Sequence, residues 1–190
     1  MYELYLDAVS ASGKIALLRD KKILSQAELY IWWNESSLIS QKVFWFLNTQ
    51  GVQVSQIENI YTVVWPWSFT GIRSICLFVN TLAYIYPKLE LTPLSFFDLY
   101  DTYPIVKQSS RRDAFVKLKK NTIIQILQMN ELEILAQSWW IWYGSMDLSL
   151  WSFDTISVHH DYDVWERVYS LSHKKTKFVE PLYIKKPNIC

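Results

Sequence analysis

The side chains of this sequence that could do chemistry fall in a few short stretches. Ser68-Phe69-Thr70-Gly71-Ile72-Arg73 follows an apolar run and opens a helical pattern. At such a helix start the free backbone amides and the helix dipole can hold an anion, and a hydroxyl can instead cap the amides. Ser68 and Thr70 therefore read either as caps or as phosphate contacts. Arg73, one turn in, can pair with a phosphate or with a carboxylate of the chain itself. His159-His160 with Asp161 and Asp163 are metal-ligating types that could take an ion opportunistically, and otherwise read as a solvated loop. Arg111-Arg112 and Lys174-Lys175-Thr176-Lys177 are charged surface or contacts to nucleic-acid phosphates. No Ser-His-Asp or Cys-His arrangement can be read from the residue order, and Cys76 reads as a small packed hydrophobe. No residue is assigned a catalytic role, and no metal is expected.

The composition sets the frame for these residues. The chain has 190 residues, about half of them apolar, enough for one compact domain or two small lobes. Its 19 basic and 18 acidic residues nearly cancel, so there is no global pull towards nucleic acid or an acidic membrane. Any RNA contact is then local, or made by a partner. The longest apolar stretch, residues 72–86, contains Arg73, Ser74, Asn80 and Thr81 and falls short of the ~20 residues that a membrane span needs. Met1-Tyr2-Glu3-Leu4 does not open like a secretory signal, and two cysteines, Cys76 and Cys190, make no disulfide framework. A reduced, cytoplasmic setting is the expectation.

The elements that must position the candidate residues follow from apolar periodicity. Residues 3–7, 14–18 and 23–29 read as a meander of three strands, turning at Ser12-Gly13 and at Arg19-Asp20-Lys21-Lys22. A helix over 35–49 is capped by Asn34 and stopped at Gln50-Gly51. Residues 60–64 form a continuous apolar run, the mark of a strand buried on both faces. A second helix covers 70–86, ends at Pro87, and leads to an extended segment over 89–91, which implies a crossover onto a central sheet. This helix is apolar nearly all round, through Ile72, Ile75, Leu77, Phe78, Val79, Leu82 and Tyr84, so one side should pack on the sheet and leave the other for a partner. Beyond residue 100 the expected elements are strands over 104–108, 114–118 and 122–127, a short helix over 131–137, a loop or strand turn over 139–144, a helix over 164–171 and an extended tail over 180–184. No internal repeat is visible in the sequence.

The stretch Val64-Trp65-Pro66-Trp67-Ser68-Phe69-Thr70-Gly71-Ile72-Arg73 resembles the signature of the TsaB (YeaZ) family, in which a buried strand is followed by Gly-Pro-Gly and then by Ser-Phe-Thr-Gly-Leu-Arg opening a helix. Pro66, Ser68, Phe69, Thr70, Gly71 and Arg73 match. The opening hairpin, the Ser109-Ser110-Arg111-Arg112-Asp113-Ala114-Phe115 stretch and the closing Pro181-Leu182-Tyr183-Ile184-Lys185 are similar to the family's segments too. The resemblance implies an actin-like, sugar-kinase, Hsp70-type α/β fold with ribonuclease H-like lobes, here 1–100, carrying the partner helices, and a smaller 101–190. It implies a non-catalytic subunit that pairs its first two helices with TsaD as a heterodimer, in a larger complex with the ATPase TsaE. Such a subunit supports threonylcarbamoyladenosine modification of tRNA, which it meets indirectly. No cofactor of its own is required, ATP or ADP belongs at the complex interface, and a homodimer is open to the chain when alone. Catalytic members of the fold follow a first-strand Asp with Gly and Thr to wrap phosphate and metal. Here Asp7-Ala8-Val9-Ser10 keeps Asp7, as a weak nucleotide contact or a polar strand end, and lacks the Gly. The His-x-x-x-His pair of TsaD is also absent from the sequence. The alternative readings are an ATP-dependent kinase or acyltransferase of the same fold, and an aromatic-rich binding module.

Two departures stand out. Asn34-Glu35 replaces the family's His near the first helix, and Trp65 and Trp67 replace both turn glycines. A side chain at positive φ costs roughly 1–2 kcal/mol per residue. The sequence has 10 Trp and 4 Gly, where ordinary usage gives roughly 13 Gly. Both facts fit a UGA codon that the organism reads as Gly and that is written here as Trp, at positions such as 32, 33, 65, 67, 139, 140 and 142. The competing account is a Trp-rich natural protein with an aromatic core. Intact-mass measurement on the native protein decides: recoding lowers the mass by a whole number of Trp-to-Gly differences, and a mass with all ten Trp ends the idea.

Overall fold

The structure, a computed structural model, describes residues 1–10, 13–29, 36–66, 69–139, 141–146, 157–170 and 174–181, without the side chains of Ser36, Phe69 and Thr70. The meander forms as β1 (Tyr2–Asp7), β2 (Lys14–Arg19) and β3 (Lys22–Glu28). Asp20 and Lys21 take φ of 51° and 59°, which suits the two-residue hairpin between β2 and β3. After β3 come α1 (Ile39–Thr49), β4 (Ile57–Trp65), α2 (Phe69–Ile85) and β5 (Glu90–Ser95). The first sheet runs β3-β2-β1-β4-β5, with the meander antiparallel and β4 and β5 parallel to β1. β4 is longer than its apolar run, because both neighbours pair with it along its length.

The expected cap Asn34 and the residue after it, Glu35, lie outside the described residues. A single 3-10 turn, Ser36–Leu38, enters α1 instead, and Leu38 gives it no side-chain cap. The stop at Gln50-Gly51 is as expected, with Gly51 at φ 66° and the Gln50 amide closing back on Phe46 and Leu47.

The second sheet is built from β6 (Ile105–Gln108), β7 (Asp113–Lys117), β8 (Gln125–Gln128), β9 (Ile141–Ser145) and β10 (Ser157–His159), in the order β10-β9-β6-β7-β8. β6, β7 and β8 form an antiparallel meander, and β9 and β10 run parallel to β6. This is the topology of the first sheet again: three meandering strands, then two parallel strands added on the far side of the first. A repeat invisible in the residues is therefore present in the topology. α3 (Met129–Ala136) lies between the meander and β9, and α4 (Val164–Ser170) follows β10. Two expectations are corrected here. The stretch over 139–144 is mostly strand, and His159 sits in β10 rather than in a loop. The tail residues 182–184 lie outside the described residues.

Two apolar clusters result. The larger joins the first sheet, α1 and α2 to Ile105 and Phe115 of the second sheet and to Tyr162, Val164, Val168 and Val179 from the end of the chain. The smaller is local to the second sheet, with Val106, Ala114, Val116, Leu132, Trp142 and Met146. Trp65 ends β4 with its ring 5.5 Å from Phe97 and 5.8 Å from Phe115, and its backbone is not at positive φ. The conformational demand that disfavours Trp at this turn is thus not met at position 65. Trp142 is likewise a buried strand residue, its indole N–H donating to the Trp139 carbonyl at 2.8 Å. Trp32, Trp33, Trp67 and Trp140 lie outside the described residues. Among the described residues no helix is long and apolar enough to cross a membrane.

The glycine of β9 is sterically obligatory. Gly144 in β9 has φ 133°, and a Cβ there would stand 1.9 Å from the Val106 carbonyl oxygen on the paired strand β6. Gly144→Ala should cost at least ~2 kcal/mol, since the backbone is unfavourable for a side chain and the neighbour is main chain. Urea unfolding of the two proteins would measure it, and an unchanged midpoint would mean the β6–β9 pairing is looser than described.

Candidate functional site

Strand alternation sorts the side chains of β1 onto two faces. Leu4 and Leu6 pack in the core, while Glu3, Tyr5 and Asp7 form a polar row on the other face. Each member of that row meets a tyrosine from the last thirty residues of the chain. Tyr169 donates to Glu3 at 2.5 Å, where Tyr61 of β4 also donates at 2.9 Å. Tyr5 bonds the Tyr162 hydroxyl at 3.1 Å, and Tyr162 in turn donates to Asp7 Oδ2. Burial pushes the Tyr5 and Tyr162 phenols well up from their usual range, so both stay neutral donors.

Asp7 is fully buried. Its Oδ1 accepts the backbone amides of Val9 at 2.8 Å and Ser10 at 3.0 Å, and its Oδ2 accepts Tyr162. Opposite stands Lys107 of β6. It pairs in register with Phe115, so both lie on one face of the second sheet, and Phe115 reaches Trp65 of β4. The Lys107 ammonium is buried, donates to the Val9 carbonyl at 2.7 Å, lies 3.4 Å from Ser145 Oγ and sits 5.2 Å from the Phe96 ring centre. Burial pulls it down from the lysine range to about 8, with the Asp7 charge opposing the shift. The carboxyl ends of the two central strands, β1 and β6, thus meet through one anion and one cation. Ligands of open α/β sheets gather at such strand ends. Here the chain's own groups occupy the position.

Around this junction Lys14 pairs with Asp161, whose carboxyl it holds below the usual range, and lies over the Tyr162 ring. Tyr100 donates to the His160 carbonyl at 2.9 Å, and His160 Nδ1 lies 2.6 Å from the Gly144 carbonyl oxygen. Arg167 of α4, itself buried, makes a two-pronged contact with Asp101.

The sequence-derived candidates are distributed differently. Ser68 lies outside the described residues. Phe69 and Thr70 open α2, with Gly71 buried beside them in its first turn. Arg73 lines a groove of about 500 Å³ between α2 and the C-terminal segment, together with Leu77, Asn80, Phe178 and Pro181. Thr70 and Arg73 are therefore on α2, whereas Asp7 ends β1. Of the lysine cluster, Lys175 pairs with Glu90 at 2.7 Å and Lys177 donates to the carbonyls of Pro87 and Leu89, so these two fasten residues 174–178 to β5 and the turn before it. Arg111 and Arg112 are exposed on the β6–β7 turn. His159 stacks on Tyr143, and among the described residues no group of three His, Cys, Asp or Glu side chains is placed to hold a metal. Cys76 is buried, and burial lifts its thiol to about 11.

α1 and α2 present a second feature. Their inner faces are buried through Ile39, Val43, Phe46 and Leu47 and through Ile72, Ile75, Val79 and Leu82. Their outer faces carry Phe44 and Trp45 on α1, and Leu77, Tyr84 and Ile85 on α2, all exposed. Phe44 meets Phe78 edge-on at 5.9 Å, which links the two helices' outer residues. Leu77 is 70% and Tyr84 88% exposed, so α2 is not covered all round.

No protein-family model matches the chain, and no curated protein matches its sequence. Among solved structures, one described as an uncharacterized protein with similarity to peptidase YeaZ from Pseudomonas aeruginosa superposes with a TM-score of 0.69. It is 15% identical, and the match covers 97% of this chain and 99% of that one. The chain has the actin-like α/β fold of the YeaZ structures. YeaZ from Pseudomonas aeruginosa itself matches at 17% identity and a TM-score of 0.52, over 66% of this chain and 64% of that one.

Sequence reasoning missed Lys107 and Tyr162. The available signal was Lys107 directly after Pro104-Ile105-Val106, within an expected strand, where a charge needs a reason. Tyr162→Phe removes one hydroxyl that serves both Asp7 and Tyr5 and leaves a buried carboxylate oxygen short of a donor. It should cost ~1–3 kcal/mol in urea unfolding, whereas Tyr143→Phe, a tyrosine whose ring stacks on His159, should stay within ~0.5 kcal/mol.

Proposed function

We propose that the chain is a non-catalytic subunit that docks a TsaD-type threonylcarbamoyltransferase through α1 and α2 and supports threonylcarbamoyladenosine modification of tRNA. The observation that carries this reading is the exposed apolar face of the two helices. Leu77 and Tyr84 recur seven residues apart on α2, as do Phe78 and Ile85, and Phe44 and Trp45 extend the surface onto α1. Large exposed apolar side chains in a contiguous patch mark a partner surface, and helix-on-helix packing is how two such faces bury each other. The Ser68–Arg73 signature and the likeness of the fold to the YeaZ structures point the same way.

The junction favours a supporting role over turnover. A kinase or acyltransferase of this fold would need Asp7 to face nucleotide, and both of its carboxylate oxygens are engaged by the chain itself. In this reading no cofactor is needed by the subunit alone. ATP or ADP and the TsaE-type ATPase belong to the larger cytoplasmic complex, tRNA is met through the partner, and a homodimer through the same helices covers the apolar face when the partner is absent.

Co-purification with the TsaD homologue of the same genome tests the proposal. The wild type should form a one-to-one complex. Leu77→Glu and Tyr84→Glu, at exposed positions that leave the fold intact, should weaken it at least tenfold, since buried aromatic anchors dominate such interfaces. Failure of the folded wild type to bind would sink the assignment, and nucleotide turnover by the isolated chain would restore the enzyme reading.

A further inference from the structure

We propose that the carboxyl ends of β1 and β6 form a self-sealed latch between the two lobes, whose opening is coupled to protonation of Lys107. The inference rests on the junction alone and is independent of the partner reading.

The geometry comes first. Lys107 lies in the central strand of one sheet, and its ammonium ends on the backbone of the loop that follows the central strand of the other. That loop, Ala8 to Ser10, is itself folded onto Asp7 by two amide hydrogen bonds. Tyr162 closes the remaining side of Asp7 and is held in place by Tyr5 and by Lys14 over its ring. Parting the lobes at this point must break the Lys107–Val9 contact, and it exposes a buried cation and a buried anion together.

Such an opening changes the surroundings of one titratable group above all others. From β1 Lys107 is faced by the Asp7 carboxylate, from β9 by the Ser145 hydroxyl, and from the turn after β5 by the Phe96 ring. Around Asp7 stand the phenols of Tyr5, Tyr100 and Tyr162, all pushed upward by burial and so neutral throughout mild alkali. His160 is held at the Gly144 carbonyl, and the Lys14–Asp161 pair lies on the outer side of Tyr162.

Closed, the Lys107 ammonium has given up water for one carbonyl and one hydroxyl, and it loses its proton near pH 8. Opened to water it is an ordinary lysine, near 10.4. The open form therefore holds the proton more tightly. Below pH 8 both forms are protonated and opening is indifferent to pH. Between pH 8 and about 10.4 opening takes up a proton, so it becomes harder as pH rises. The latch tightens with alkalinity and loosens as pH falls towards neutral.

The test uses the full chain, uniformly labelled with 13C and 15N. The Lys107 Cε resonance should titrate near pH 8, apart from the exposed lysines. Exchange of the Val9 and Ser10 amide hydrogens, corrected for the intrinsic rate, should slow by about tenfold or more from pH 7.5 to 9.5. Lys107→Arg keeps its proton throughout this range and should make that protection independent of pH. Lys107→Met removes the titrating group and should do the same if the arginine variant does not fold. A Lys107 resonance titrating with the exposed lysines, or wild-type protection that does not change with pH, would overturn the proposal without recourse to either variant.

Discussion

A carboxylate with no solvent exposure is tolerable only if both of its oxygens are hydrogen-bonded, because water cannot repair an omission. Asp7 meets that condition with two amides from its own turn and one phenol from the far end of the chain. Much else is arranged around this requirement. The turn after β1 must curl back, and Gly13 must let the chain pass close to the Asp7 and Leu29 carbonyls, where a Cβ would stand 2.6 Å from each. Tyr162 must be delivered across more than 150 residues of chain. The cation that balances the charge must come from the second sheet. One buried anion thus ties three parts of the molecule that have no local reason to meet.

The same strand shows how polarity can specify a docking register. Glu3, Tyr5 and Asp7, spaced by two, offer polar partners at steps of one pleat, and Tyr169 and Tyr162 reach them from positions seven apart. A purely apolar face would accept the C-terminal segment in several positions. A row of fixed donors and acceptors accepts it in one, because any slip leaves buried groups unpaired. The opposite face of β1, Leu4 and Leu6, has no such demand and is ordinary core.

Much of the first sheet and its helices was legible in the sequence. Its strands alternate or run apolar, its hairpin turn is charged, and Gly51 and Pro87 punctuate its helices, so local chemistry and fold agree. The second sheet was less legible for a physical reason. Its strands are short, β8 is largely exposed and carries little burial pattern, and β10 has only three residues. The topological repeat escaped notice because strand order is set by long-range pairing, which leaves no trace in residue types. The site was legible only in part. Asp7 announces itself at a strand end, whereas Lys107 and Tyr162 gain their meaning from each other's position in space. The motif at 68–73 led to α2 and its exposed face.

The end of the chain does more than close the junction. Thr176 forms a bridge with Leu91 on the outer edge of β5, Asn80 exchanges hydrogen bonds with Val179, and Val164, Val168 and Val179 belong to the larger apolar cluster. On the ribosome, where a chain emerges from its amino end, all five strands of the first sheet have appeared before these residues do. Until then the edge of β5 is without its Thr176 bridge, and the polar row of β1 is without Tyr162 and Tyr169. Anything that holds the nascent first sheet during this interval has a strand edge to hold, and the segment carrying Thr176 is the one that displaces it.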